Sequence, residues 1–278
     1  MTGRTTAYPA PFIVRATGTL RAALLVRPTR ALERLRPLPG EPSPIFSRAV
    51  EQHLILEKTL RYFRVEMNVI DAGPGSALSV AAADTAVVLE NGAVMMRNSV
   101  LHRPDEVAHI NAQFDRLGVP VLGSIASPAS IDGSEILPVA NTAFIGVSPR
   151  SNSLGRSAFA DIARSAGLDI VEVTMSSGAP PLRSIASPVS ADTIVVAPAG
   201  LDIGAFSGFN TIVLDRGEEL AAGVFPIGDR HVIANLRFRT SLAKMRRAGV
   251  AIEAIDLHEF GKVGLTPSML VLPIRRSK

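Results

Sequence analysis

The chain has 278 residues, 47% of them apolar and 19% charged, with a net charge of +4, the balance of a folded protein with a sizeable core rather than of a disordered chain. So slight a basic excess, with no Trp and two Tyr, argues against a nucleic-acid surface, which interleaves basic and aromatic side chains. The absence of cysteine excludes disulfides, thiolate zinc sites and a cysteine nucleophile, and no apolar run approaches the roughly 20 residues that span a bilayer.

In chain order, "MTGRTTAYPAPFIVRATG" lacks the continuous apolar core of a secretory signal, so a cytoplasmic protein with no membrane partner is expected. "EKTLRYFRVEMNVI" reads as a helix followed by a strand, and "TAVVLENGAVMM" as a hairpin turning at Asn91-Gly92. "HINAQFDRLGVPVLG", "FADIARSAGLDIVEV" and "LAKMRRAGVAIEAID" repeat the helix-to-strand pattern with Gly118, Gly167 and Gly249 as left-handed helix stops. A degenerate copy near "FSGFNTIVLD" makes five units. "SIASPAS" and "SIASPVS" read as equivalent loops turned by Pro128 and Pro188. No composition shift divides the chain, so one domain over residues 1–278 is expected. Repeated mixed units around a pseudo-symmetry axis, with a site where strand ends converge, fit an α/β fold of this kind.

Candidate chemistry lies at strand ends. His53, His102, His109, His231 and His258 share no metal-ligand spacing and build no Ser-His-Asp triad, so neither a metal nor a cofactor is expected. In "SPRSNSLG", directly after the strand "TAFIGV", Arg150 could grip a ligand carboxylate or serve as a salt-bridged loop residue, while Asn152 shapes the turn. Arg97 sits at a strand end, and Arg103 precedes Pro104 at a helix start, where it could bind an anion. Asp84 opens an apolar strand, and "IDGSEIL" places Asp132 and Glu135 ahead of another. Arginines and carboxylates gathered this way describe a pocket for a guest bearing both charges, such as an amino acid with a cationic side chain.

The blocks "VRPTRALERL", "ADTAVVLENGAVMMRNSVLHRPDEV", "IDGSEIL", "FIGVSPRSNSLG", "EELAAGV" and "EFGKVGLTPSMLVL" resemble, in wording and order, those of the dimethylarginine dimethylaminohydrolases of the pentein, or guanidino-group-modifying, superfamily. The resemblance covers nearly the whole chain and implies a five-bladed, pseudo-symmetric α/β propeller. It also implies that carboxylates hold a guanidinium group while two arginines hold the substrate's carboxylate. The arginine of the family's "S-x-R-T-N" block falls on Arg150, and the arginine before the second unit's helix on Arg103. The aspartate before "TAVV" falls on Asp84, the acid opening the "E-G-G-D" block on Asp132, and that block's last aspartate on Glu135.

The family's reacting groups are missing from this pattern. Its "L-T-C", carrying the nucleophile, reads "LTP" here, which puts Pro267 in that place. Its "L-H-L-K-S", carrying the acid–base histidine, reads "PPLRS", which puts Pro181 there. One of the paired acids before "TAVV" is Ala83, and Leu78 stands where another acid is expected. The resemblance therefore implies an inactive or regulatory homologue that binds an arginine-like amino acid, self-associated or paired with an active paralogue. The alternative is an enzyme of arginine-derivative metabolism doing non-cysteine chemistry in the same pocket.

Overall fold

The structure is a computed structural model that describes residues 7–72, 77–99 and 103–277. Strand β1 (Leu20–Val26) leads through helix α1 (Phe46–Tyr62) to the parallel strand β2 (Glu66–Ile70). The second unit is a hairpin of β3 (Ala86–Leu89) and β4 (Gly92–Met95), then α2 (Pro104–Leu117) and β5 (Val121–Ser124) parallel to β4. The third repeats it with β6 (Ile136–Val139), β7 (Thr142–Val147), α3 (Ser153–Ser165) and β8 (Asp169–Thr174). A short helix α4 (Leu182–Ile185) opens the fourth, followed by β9 (Ala186–Pro188), β10 (Thr193–Val196) and β11 (Asn210–Val213), with a single 3-10 turn, Ile203–Phe206, in place of the crossover helix. The fifth holds β12 (Phe225–Gly228), β13 (His231–Asn235), α5 (Arg239–Arg247) and β14 (Ala251–Ile255).

After α6 (His258–Gly261) and α7 (Pro267–Leu270), strand β15 (Leu272–Arg276) pairs antiparallel with β1, Leu272 opposite Leu24 and Arg276 opposite Leu20. The last strand thus completes the first sheet, and five three-stranded sheets close on themselves. All five units predicted from the helix-stop pattern are present. Apolar side chains fill the spaces between neighbouring units: Phe114 of α2 packs with Leu24 and Val88, and Phe159 of α3 with Val94 and Ile145.

Gly118, Gly167 and Gly249 take φ of 67°, 85° and 82°, as the helix stops require. The first unit lacks the glycine, and exposed Arg64 takes φ 59° instead. Arg64→Gly is expected to raise stability by up to about 1 kcal/mol, since the left-handed strain on a Cβ-bearing residue outweighs glycine's added entropy in the unfolded chain. Urea unfolding of the variant and its parent measures it.

Two expectations are corrected. The β3–β4 turn consists of Glu90 and Asn91, because Leu89 pairs with Gly92 inside the ladder. Gly92 is needed for another reason: a Cβ there would collide with the Pro120 carbonyl oxygen. The two "SIASP" segments are not equivalent either. The first follows β5 as a loop, whereas the second runs from α4 into β9, where Pro188 faces Ile194 across the ladder.

Each unit's edge strand (β3, β6, β9, β12 and β15) is preceded by a short helical turn: Ala82–Asp84, Gly133–Glu135, α4, Glu219–Ala222 and α7. These turns pack on one another around the axis, α4 touching the turns at 133–135 and 219–222 as well as α7, and α7 touching the turn at 82–84. Side chains from five distant segments are thereby brought to one place. Pro267 fits this scheme because the first turn of a helix needs no N–H donor from it.

Candidate functional site

The ring of turns borders a cavity of about 580 Å³. Asp84, Arg103, Asp132, Ser134, Arg150 and Pro181 all line it, with Leu265 and Met269. The close approach of two turns depends on Gly133, where a Cβ would strike the Ala83 carbonyl oxygen. That contact sets Asp84 and Asp132 in the same wall.

Arg103, only 4% exposed, is held on three sides. It donates to Asp84 Oδ2 at 2.8 Å, to Glu106 Oε2 at 2.9 Å and to the Leu78 carbonyl at 3.1 Å. Against the desolvation of burial, these carboxylates hold the guanidinium above its ordinary pKa. Burial also raises the Glu106 carboxyl, although Arg103 opposes it. Asp132 is pushed up to about 6 by burial and then by Asp84, although it accepts the Ser99 N–H at 2.8 Å.

Arg150, with a side chain 27% exposed, donates to Glu135 Oε1 and, at 2.8 Å, to the Ala179 carbonyl. Glu135 is fully buried; burial raises its carboxyl, opposed by Arg150 and by the Ser148 hydroxyl that donates to it at 3.0 Å. Asn152 caps α3, accepting from Gly155 N at 2.7 Å and from Ser130 N at 3.0 Å, and so fixes the loop that carries Arg150. Arg97 instead pins the Ala129 carbonyl at 3.2 Å and does not line the cavity.

Three buried oxygens, on Asp84 and Ser134 in this wall and on Glu135 behind it, have no hydrogen-bonding partner among the described residues: Asp84 Oδ1, Ser134 Oγ and Glu135 Oε2. Each such atom costs on the order of 1–3 kcal/mol, more when charged, unless a donor arrives. Ser134 was not singled out by the sequence reading, although it lies between Asp132 and Glu135 in the same turn.

The two prolines sit differently. Pro181 caps the start of α4 and lines the cavity, whereas Pro267 is buried at the start of α7, with Leu265 and Met269 on either side of it reaching the cavity wall. Ser268 offers no free hydroxyl there: it donates to the Arg183 carbonyl at 2.6 Å and lies 3.0 Å from Thr266 Oγ1. No described histidine lines the cavity. His53 pairs with Glu57 at 3.1 Å and His231 with Glu253 at 2.8 Å; His102 lies outside the described residues. Among the described residues no group of His, Asp and Glu is arranged to hold a metal, and no helix is long and apolar enough to cross a membrane.

No known family profile matches the chain. It is 22% identical over 220 residues to N(G),N(G)-dimethylarginine dimethylaminohydrolase of Pseudomonas aeruginosa, covering 79% of this chain and 86% of that protein. A solved structure of that organism's enzyme, a cysteine-to-serine mutant complexed with citrulline, matches with a TM-score of 0.84 at 21% identity over 92% of this chain and 100% of that one. The N-terminal domain of ArgZ, an arginine dihydrolase from the ornithine-ammonia cycle in cyanobacteria, bound to substrate, matches with a TM-score of 0.80 at 19% identity over 92% and 98% of the two chains. SxtG, an amidinotransferase from Microseira wollei in the saxitoxin biosynthetic pathway, matches with 0.78 at 11% identity over 96% and 97%. The five-bladed α/β propeller expected from the sequence blocks is the fold of this chain.

Proposed function

We propose that this chain, built on the fold of the dimethylarginine dimethylaminohydrolases, binds a cationic, arginine-like amino acid and does not hydrolyse its guanidino group. The observation that carries this reading is the acceptor-rich wall: Asp84, Asp132, Ser134 and Glu219 line the cavity, and Asp84 Oδ1 and Ser134 Oγ, buried in that wall, have no hydrogen-bond partner among the described residues. Asp84, Asp132 and Glu219 line it against Arg103 and Arg150, and Glu106 and Glu135 stand directly behind. An excess of carboxylates lining a cavity favours a positively charged guest, and a planar guanidinium offers donors in the geometry that carboxylates accept. Arg150, part-exposed although tied to Glu135 and the Ala179 carbonyl, would take the guest's carboxylate. Arg103 would have to release Asp84 to share in that contact.

Hydrolysis through a covalent intermediate requires an activated nucleophile. The chain has no cysteine, proline occupies both reacting positions implied by the resemblance, and Ser268 is spent on a backbone carbonyl. A second reading is favoured by Asp132, whose pKa of about 6 suits a general base acting on the same guest without a nucleophile.

Calorimetric titration with L-arginine, asymmetric dimethylarginine and citrulline tests the binding. Saturable binding of the cationic ligands is expected, with citrulline, whose ureido group is neutral, at least about tenfold weaker. Asp84→Asn is expected to weaken the cationic ligands by a similar factor. No heat of binding for any of the three at millimolar concentration would overturn the proposal.

A further inference from the structure

Beyond the ring of turns, the edge strands β3, β6, β9, β12 and β15 enclose a second, narrower space on the axis, about 60 Å³ in volume. Its walls are apolar apart from Arg183 of α4, Arg276 at the end of β15, and the hydroxyls of Ser187 and Ser268. Arg276 is 3% exposed; its Nη1 and Nη2 donate to the Gly18 and Pro226 carbonyls at 2.8 Å and 2.7 Å, and its guanidinium carbon lies 5.3 Å from the centre of the Phe225 ring. Among the described residues its Nε has no acceptor, and Ser187 Oγ, on a residue 1% exposed, has no partner either. The Arg183 guanidinium feels a carboxylate only through the field of Asp84. None of the residues outside the described ones is Asp or Glu.

Two guanidinium groups, that of Arg276 buried and that of Arg183 half-buried, thus line one largely apolar space that no carboxylate side chain lines. Burial lowers Arg183 to about 10; burial, then repulsion from Arg183, lowers Arg276 to about 9. Both therefore stay charged at neutral pH. The two carbonyls and the Phe225 ring supply only partial negative charge, and an uncompensated buried charge is costly.

We infer that this axial channel binds one small inorganic anion, a halide or a compact oxoanion, between the side chains of Arg183 and Arg276. The space is large enough for such an ion and far smaller than the cavity bordered by the ring of turns. Ser268 is not a donor here because its hydroxyl is committed to the Arg183 carbonyl. The inference is independent of the ligand proposed for the larger cavity.

Crystals of the full chain grown with bromide in place of chloride test it directly. An anomalous peak is expected on the axis, in contact with both guanidinium groups. In solution, chloride, nitrate and phosphate series balanced with gluconate at constant ionic strength are expected to raise Tm saturably, by roughly 5–10 °C at about 100 times Kd. The order among the three anions separates a halide site from an oxoanion site. Arg183→Met is the informative variant, since Arg276→Met would also cut the ties to Gly18 and Pro226. Arg183→Met is expected to lose both the peak and the anion response. Absence of the peak together with a Tm indifferent to the anion would overturn the inference, as would a peak and response retained in Arg183→Met.

Discussion

Replacing Arg103 with methionine is expected to destabilise the protein by about 3–5 kcal/mol near pH 8 and by clearly less near pH 5. Arg103 is the cation bonded to both Asp84 and Glu106, and its charge also stabilises Asp132. Without it, Asp84 and Glu106 each lose a buried ion pair, and Asp132 in the same wall as Asp84 loses the field that favours its charge. Glu106 and Asp132 already lie above their ordinary values with Arg103 in place and rise further once it is gone. A carboxyl whose pKa is raised on folding destabilises the native state when ionised, so the penalty grows as pH rises through the folded-state value and fades as protons bind at lower pH. Urea unfolding of parent and variant at the two pH values gives the difference. An equal loss at both would assign the effect to packing alone.

Asp132→Asn is expected to act the other way, stabilising the protein by about 2–3 kcal/mol at neutral pH. The gap between the ordinary 3.8 and about 6 corresponds to about 3 kcal/mol of unfavourable ionisation in the folded state. Asparagine keeps an oxygen to accept the Ser99 N–H, although without the charge, which trims the gain. The cost of ionising Asp132 is absent below the unfolded value, appears between about pH 4 and pH 6, and is complete above that, so the parent and variant stability curves should converge near pH 4. The same substitution is expected to weaken a cationic guest. Stabilisation coupled to lost binding marks a residue kept for its function rather than for the fold. A variant less stable than the parent at neutral pH would instead make Asp132 a required counter-ion of Arg103.

The repeated architecture was legible because its signals are local. A glycine after an amphipathic helix announces the same stop wherever it occurs, and Gly118, Gly167 and Gly249 all behave so. Features set by distant contacts were not legible. Gly92 answers to the carbonyl of Pro120 rather than to its own turn, and the letters "SIASP" become strand only where β10 lies alongside to pair with them. The site followed the same division. Strand-end placement picked out Asp84, Asp132 and Arg150, and a helix start picked out Arg103; all four line one cavity. The bonds that tie Arg103 to Asp84 and Arg150 to Glu135 depend on how loops of the units pack. Arg183 and Arg276 line the same space only because the last strand closes the first sheet.

The central claim, a cavity that holds an arginine-like guest without cutting it, is tested most directly by one NMR measurement. Asymmetric dimethylarginine is incubated overnight with the full chain at near-equal concentration, and its spectrum is recorded with saturation transfer from the protein. Transfer onto the guest's methyl and side-chain protons, with no dimethylamine or citrulline resonances growing in, is the expected result. No transfer, or product appearing faster than in a protein-free control, would contradict it.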